Sequence, residues 1–207
     1  TKFTYVGKPY KRVDAIEKVT GRAKYTGDLK IPGMVFARIL RPPSHGAKMR
    51  SADVSGAEKI SGVQVVRDGD FIAVVSENKD KADEAIVKIK AEYDFNELAV
   101  NDKTVFDWMV KAESRSSVAR EGGDLETGKK QSEKVFESEY HDPYVAHAAI
   151  ETHTALAQVE NGKMNVWAST QSPFGLQDAI VNELKMTNET VRVRTPFLGG
   201  GFGGKAA

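Results

Sequence analysis

The chain reads as an α+β protein, on two observations. Short runs rich in β-branched and aromatic residues are bounded by Gly, Pro, Asn and Asp, and Asp-Gly or Asn-Gly joins two pairs of them. Two other stretches repeat apolar residues at helical spacing. With 207 residues, 40% of them apolar, the chain can bury a core in one or two domains. Thirty basic side chains stand against 29 acidic, a net charge of +1. That balance gives no electrostatic case for nucleic acid or an anionic membrane. The absence of cysteine excludes disulfides, thiolate zinc sites, iron–sulfur ligation and a cysteine nucleophile from this chain. No apolar run approaches the roughly 20 residues that span a bilayer, and the first residues lack the apolar core of a signal peptide. The expectation is a soluble, cytoplasmic chain; an export signal removed before residue 1 would place it in the periplasm.

Taken in order, the segment to Lys30 is polar and glycine-punctuated and reads as loops. Met34 to Leu40 is a strand stopped by Pro42-Pro43. Val63–Val66 and Phe71–Val75 form a hairpin around Asp68-Gly69. In KDKADEAIVKIKAEYD, Ala82, Ala85, Ile86 and Ile89 make the apolar stripe of a helix. A shorter helix is expected over Val105 to Ala112. The polar stretch from Glu113 to Glu133 reads as a linker or surface loop, and a domain boundary belongs there. Beyond it, Val135–Tyr140 and Ala149–Val159 read as strands. Asn161-Gly162 turns the chain into a strand over Met164–Ala168. Ser172 is a good N-cap and Pro173 a good first residue for a helix with Leu176, Ala179, Ile180 and Leu184 on its apolar stripe. Glu189–Thr195 alternates as a half-exposed strand.

Three features bear on chemistry. Five of the 18 glycines crowd into the last nine residues, GGGFGGKAA. Glycines in series let backbone N–H groups approach a ligand closely. Gly199 to Lys205 also fits G-x-x-x-x-G-K of a P-loop, but Ala206 replaces the magnesium-binding Ser or Thr and no helix follows. A flexible tail is the plainest reading. The preceding strand and the Phe among the glycines favour a loop wrapped around a flat cofactor. Gln171 lies in a strand-to-helix turn, where it could donate to an oxo or carbonyl oxygen or merely cap the turn. His147, Glu151 and His153 would share one face of a strand. Without cysteine or a paired carboxylate, ordinary hydrogen-bonded histidines are expected there rather than a metal site.

Several stretches together resemble the molybdopterin-binding large subunit of the xanthine dehydrogenase/aldehyde oxidase family. They are KVTGRAKYTGDLKIPGMVFARILRPPSHGAKM, GVQVVRDGDFIAVVSENKDKADEAIVKIKAEYD, YHDPYVAHAAIETHTALAQVENGKMNVWASTQSPF and VRVRTPFLGGGFGGK. The pairing of W-x-x-T-Q with GGGFGGK is specific, and the resemblance spans nearly the whole chain. It implies an N-terminal extended segment (1–16), an α/β hammerhead domain (17–112), a linker or surface loop (113–132) and the truncated start of a mixed α/β molybdopterin-binding domain (133–207). The compact VVRDGDFIAVVSENKD is more similar to the bacterial isoquinoline- or aldehyde-oxidising branch. The GGK ending is more similar to the xanthine and aldehyde members. Ala206, where purine-oxidising members commonly carry Glu, argues against xanthine as substrate.

The resemblance also implies a site. Gln171 matches the glutamine that approaches an oxo ligand of molybdenum. Gly200, Gly201, Phe202 and Gly203 match the loop whose backbone lies against molybdenum and pterin. The implied cofactor is molybdopterin with molybdenum, in its cytosine dinucleotide form. Because the pterin dithiolene holds the metal, no metal-ligating side chain is assigned to this chain. Iron–sulfur clusters and FAD are expected on partner iron–sulfur and flavin subunits. The implied reaction hydroxylates an aldehyde or N-heteroaromatic carbon of a small molecule with water-derived oxygen. Its glutamate base is not among these residues, so no catalytic residue is assigned here. The chain is thus expected to be an N-terminal piece of a longer subunit that alone neither holds molybdopterin nor turns over substrate. A non-catalytic docking module is the alternative from another class, and a P-loop-like nucleotide binder a third.

Overall fold

A computed structural model describes residues 2–95, 100–112 and 117–206. Helices and strands are mixed, as the sequence predicts, and the chain divides into two compact units. One is Val35–Val145; the other combines Thr1–Met34 with Ala146–Ala207.

In the Val35–Val145 unit, β1 (Phe36–Ile39), β3 (Val63–Asp68) and β4 (Phe71–Ser76) form an antiparallel sheet with β4 in the centre. The β3–β4 hairpin registers Asp68 against Phe71, so Gly69 and Asp70 make the turn, with Gly69 at φ +57°. Helix α3 (Lys79–Ile86) packs on this sheet. The Asn78 side chain accepts from the amides of Asp80 and Lys81, satisfying two of the free donors at the helix start. Ala82 and Ala85 are fully buried beside Ile72, Val74 and Ala57, the last from α2 (Ser55–Glu58). Small alanines let α3 approach the sheet closely enough for this core to close.

The α3 stripe does not run as far as its apolar spacing suggests. Ile89 is buried in the core, but the helix ends at Ile86. Lys90–Asp94 is strand β5, paired antiparallel with β2 (Lys48–Asp53) in a two-stranded sheet that the sequence reading does not contain. Alternating burial of Ala91 and Tyr93 shows the period-2 pattern that the helical spacing of preceding residues masks. The Val105–Lys111 helix, α4, is present, and the Phe106 ring stacks on His141 at 4.3 Å. Of the polar stretch 113–132, residues 113–116 lie outside the described residues. The remainder includes a two-turn exposed helix, α5 (Leu125–Gln131), capped by the Asp124 carboxylate accepting from Thr127 N–H. The strand expected over Val135–Tyr140 does not form; Phe136 and Tyr140 are exposed, and among the described residues no neighbouring strand is there to pair with.

In the other unit, β6 (Ala155–Glu160) and β7 (Lys163–Ala168) form a hairpin, and β8 (Val191–Arg194) pairs parallel to β7. Asn161 and Gly162 both take positive φ, as a two-residue hairpin turn requires. Strand β6 begins at Ala155 rather than Ala149. Helix α6 (Pro173–Leu184) crosses between β7 and β8 with Pro173 at its first position, and it packs against β8. Leu176 and Ile180 are part-buried as expected, but Ala179 and Leu184 are exposed. Gln177 takes a place on the inner face, its amide donating to the carbonyls of Asn188 and Val191. The opening residues, read as loops, hold a short helix, α1 (Ala15–Val19), and their backbone joins this unit through Phe197 N–H donating to Lys24 O.

Candidate functional site

Parallel pairing of β7 and β8 brings their carboxyl ends side by side, the end of a parallel sheet where ligands characteristically bind. From β7 the chain runs through buried Ser169 and Thr170 to Gln171 and then α6. From β8 it runs through Pro196–Leu198 into the glycines. The strand-to-helix turn and the glycine loop therefore meet. Gln171 N–H donates to Lys205 O at 2.8 Å, and Gly203 N–H donates to Gln171 Oε1 at 3.0 Å. These two bonds bring Gln171 and the loop into one constellation.

Oε1 is thus held by the loop, while the two Nε2 protons of Gln171 have no partner among the described residues. The N–H groups of Gly200, Gly201 and Phe202 likewise have none. The site offers a cluster of neutral donors, a set suited to oxygen atoms carrying negative charge. The glycines are required by contact as well as by φ. A Cβ on buried Gly201 would lie 2.5 Å from Gln171 Cδ, and one on Gly199 would lie 2.5 Å from Glu151 Cβ. Gly200 and Gly203 take φ of +101° and +95°. Phe202 also takes positive φ (+54°); its side chain is 73% exposed and its ring edge lies over Gly200.

Beneath the loop lies a pair that the sequence reading does not bring together. Lys205 is 3% exposed. Its ammonium donates to Glu151 O at 2.7 Å and to Glu151 Oε2 at 3.0 Å. The same Oε2 accepts from Gly199 N–H at 2.8 Å. The Lys205 ammonium is therefore engaged in a buried ion pair, unlike a P-loop lysine reaching for phosphate. His147, Glu151 and His153 do not share a strand face, because residues 145–154 form no strand. Each instead meets the loop. The His147 ring lies against Gly203 and Gly204, and His153 Nε2 is 3.0 Å from Gly204 O. Among the described residues no group of three or more His, Asp or Glu could hold a metal ion.

Comparison with known proteins gives this geometry its context. Residues 110–207 match the molybdopterin cofactor-binding domain. The chain is similar to the nicotinate dehydrogenase large molybdopterin subunit of Eubacterium barkeri, 28% identical over 98% of this chain and 56% of that one. The matched domain and these likenesses are to molybdopterin-dependent oxidoreductases of the xanthine dehydrogenase/aldehyde oxidase type. A probable xanthine dehydrogenase subunit of Bacillus subtilis is 29% identical over 97% of this chain and 32% of its own length. Quinoline 2-oxidoreductase from Pseudomonas putida 86 shares the fold, with a TM-score of 0.72 at 22% identity over 99% of this chain and 32% of that one. The chain thus spans about half, or a third, of the length of these proteins.

The cofactor of the matched domain fits the residues present. A molybdopterin-bound molybdenum carries oxygen ligands and brings its own sulfur, so the protein need supply only hydrogen-bond donors and a closely approaching backbone. Those are what Gln171 and the glycine-rich loop offer. No helix among the described residues is long and apolar enough to cross a membrane.

Proposed function

We propose that this chain is the part of a molybdenum hydroxylase large subunit that presents Gln171 and the glycine loop to molybdopterin. The reading rests on one observation: Gly203 N–H holds Gln171 Oε1 against the glycine loop, while the Gln171 amide protons and the amides of Gly200, Gly201 and Phe202 have no partner among the described residues. Bound molybdopterin with molybdenum supplies two-electron redox chemistry and oxygen transfer from water. This chain's residues bind and orient it. Gln171 Nε2 and the amides of Gly200, Gly201 and Phe202 would hold the bound group by donating to its oxygen atoms, and the absence of Cβ atoms on the glycines would let the backbone approach it. All these donors are neutral, so they do not titrate across the working pH range.

The substrate class proposed is an aldehyde or N-heteroaromatic ring, hydroxylated at an electron-poor carbon. The cofactor form proposed is the cytosine dinucleotide. Electrons leave to iron–sulfur clusters and FAD on partner subunits, in keeping with relatives that are themselves named as subunits. Residues 17–112 are proposed as the hammerhead domain, with the cofactor-binding region from 133 onward and a cytoplasmic location. The complete gene product, turned over in ¹⁸O-labelled water with an artificial electron acceptor and a panel of aldehydes and N-heteroaromatics, should place the label in the product. A loaded enzyme that oxidises none of the panel, or takes its oxygen from O₂, contradicts the reading.

A further inference from the structure

We propose that Lys205 and Glu151 are positioning residues, a buried latch that sets the shape of the glycine loop. The proposal rests on the reading of that loop as the cofactor site. The Glu151 carboxylate oxygen Oε2 holds both ends of the loop, accepting from Gly199 N–H and from the Lys205 ammonium. The Lys205 ammonium also holds Glu151 O. At its backbone, Lys205 O accepts from Gln171 N–H and from Thr170 Oγ1. Lys205 and Glu151 together therefore tie the loop at Gly199 and at Lys205 to the segment around Gln171.

Between the tied ends, Gly200, Gly201 and Phe202 make no backbone hydrogen bond through N–H to any described residue, and two of the three take positive φ. Such a bridge has little preference of its own for one conformation, since glycine populates both signs of φ. Its shape is imposed from its ends. Burying two charges is costly, and a buried pair often contributes little net stability compared with apolar residues of the same volume. The Lys205–Glu151 pair is among the most deeply placed charges here, with side-chain exposures of 2% and 12%. Its contribution is to conformational specificity: it fixes the ends of the loop that carries the amides of Gly200, Gly201 and Phe202.

The test uses the complete gene product carrying Lys205→Met, Glu151→Gln, or the double replacement Glu151→Leu/Lys205→Met. Three quantities are read: melting temperature, molybdenum per chain, and hydrogen exchange of the backbone amides of residues 199–204. The single variants should melt lower. The double variant, with no unpaired buried charge, should recover its melting temperature. It should still hold about tenfold less molybdenum, the scale on which supporting residues tune metal sites, and its Gly199 and Gly203 amides, the bonded ones in the loop, should exchange faster while β6–β8 exchange as before. Recovery of molybdenum content and loop protection along with melting temperature would mark a merely structural pair and overturn the proposal. Should the variants not fold, the unaltered protein stripped of cofactor decides. Its Gly199 amide should exchange more slowly than those of Gly200–Phe202, and equal rates overturn the latch. An unaltered protein that never contains molybdopterin would refute the reading of the site, and the Gly199 comparison would still judge the latch.

Discussion

Gly201 sits where any side chain would collide with Gln171, and that single steric fact couples the two features the sequence reading could only treat apart. Gln171 is legible as a residue in a strand-to-helix turn, and the glycines as a loop after a strand. Their contact is not legible, because it depends on β7 and β8 being parallel neighbours, a pairing that alternation cannot encode. The same holds for Lys205. A lysine among glycines suggests a phosphate binder, and only the fold brings Glu151 beneath it. We predict that Gly201→Val, by pushing Gln171 away, destabilises its unit by about 1–3 kcal/mol and lowers molybdenum content in the complete protein. Chemical denaturation and metal analysis check this; a variant with unchanged metal content would separate Gln171 from the cofactor.

Elements whose partners lie close in sequence are the ones that periodicity finds. The β3–β4 hairpin, the β6–β7 hairpin and α3 with its Asn78 cap all form near their expected places. Those that need a distant partner are missed. Strand β5 pairs with β2 some forty residues earlier, and its apolar residues continue the helical spacing of α3. Residues 135–140 have strand-forming side chains but meet no strand among the described residues, so their propensity goes unused.

Helix α3 is also tied to the sheet by charge. Asp83 takes hydrogen bonds from Arg38 of β1 and from Lys79, and its carboxyl is held below its ordinary value of 3.8, chiefly by the Arg38 bond and then by Lys79. Because the folded pKa lies below the unfolded one, this contribution to stability is fully present above the unfolded value and fades as pH falls through the folded value. The wild-type protein and Asp83→Asn should therefore differ in urea midpoint by a constant amount above about pH 5, and the gap should close below about pH 4. A gap that does not change with pH would remove the ion pair from the account.

At the scale of the molecule, mixed helices and strands were legible from composition and patterning, and the likeness to molybdopterin-binding large subunits from motifs spread along nearly the whole chain. What could not be read is how residues 1–34 join the C-terminal segment, since the Tyr25–Phe197 bridge spans most of the sequence. The central claim is that Gln171 and the amides of Gly200, Gly201 and Phe202 face molybdenum. Anomalous X-ray diffraction from crystals of the complete gene product, collected at the molybdenum absorption edge, tests it most directly. The account predicts an anomalous peak in the space bounded by Gln171 Nε2 and those three amides. A molybdenum peak elsewhere in the protein, with this constellation facing solvent, would contradict it.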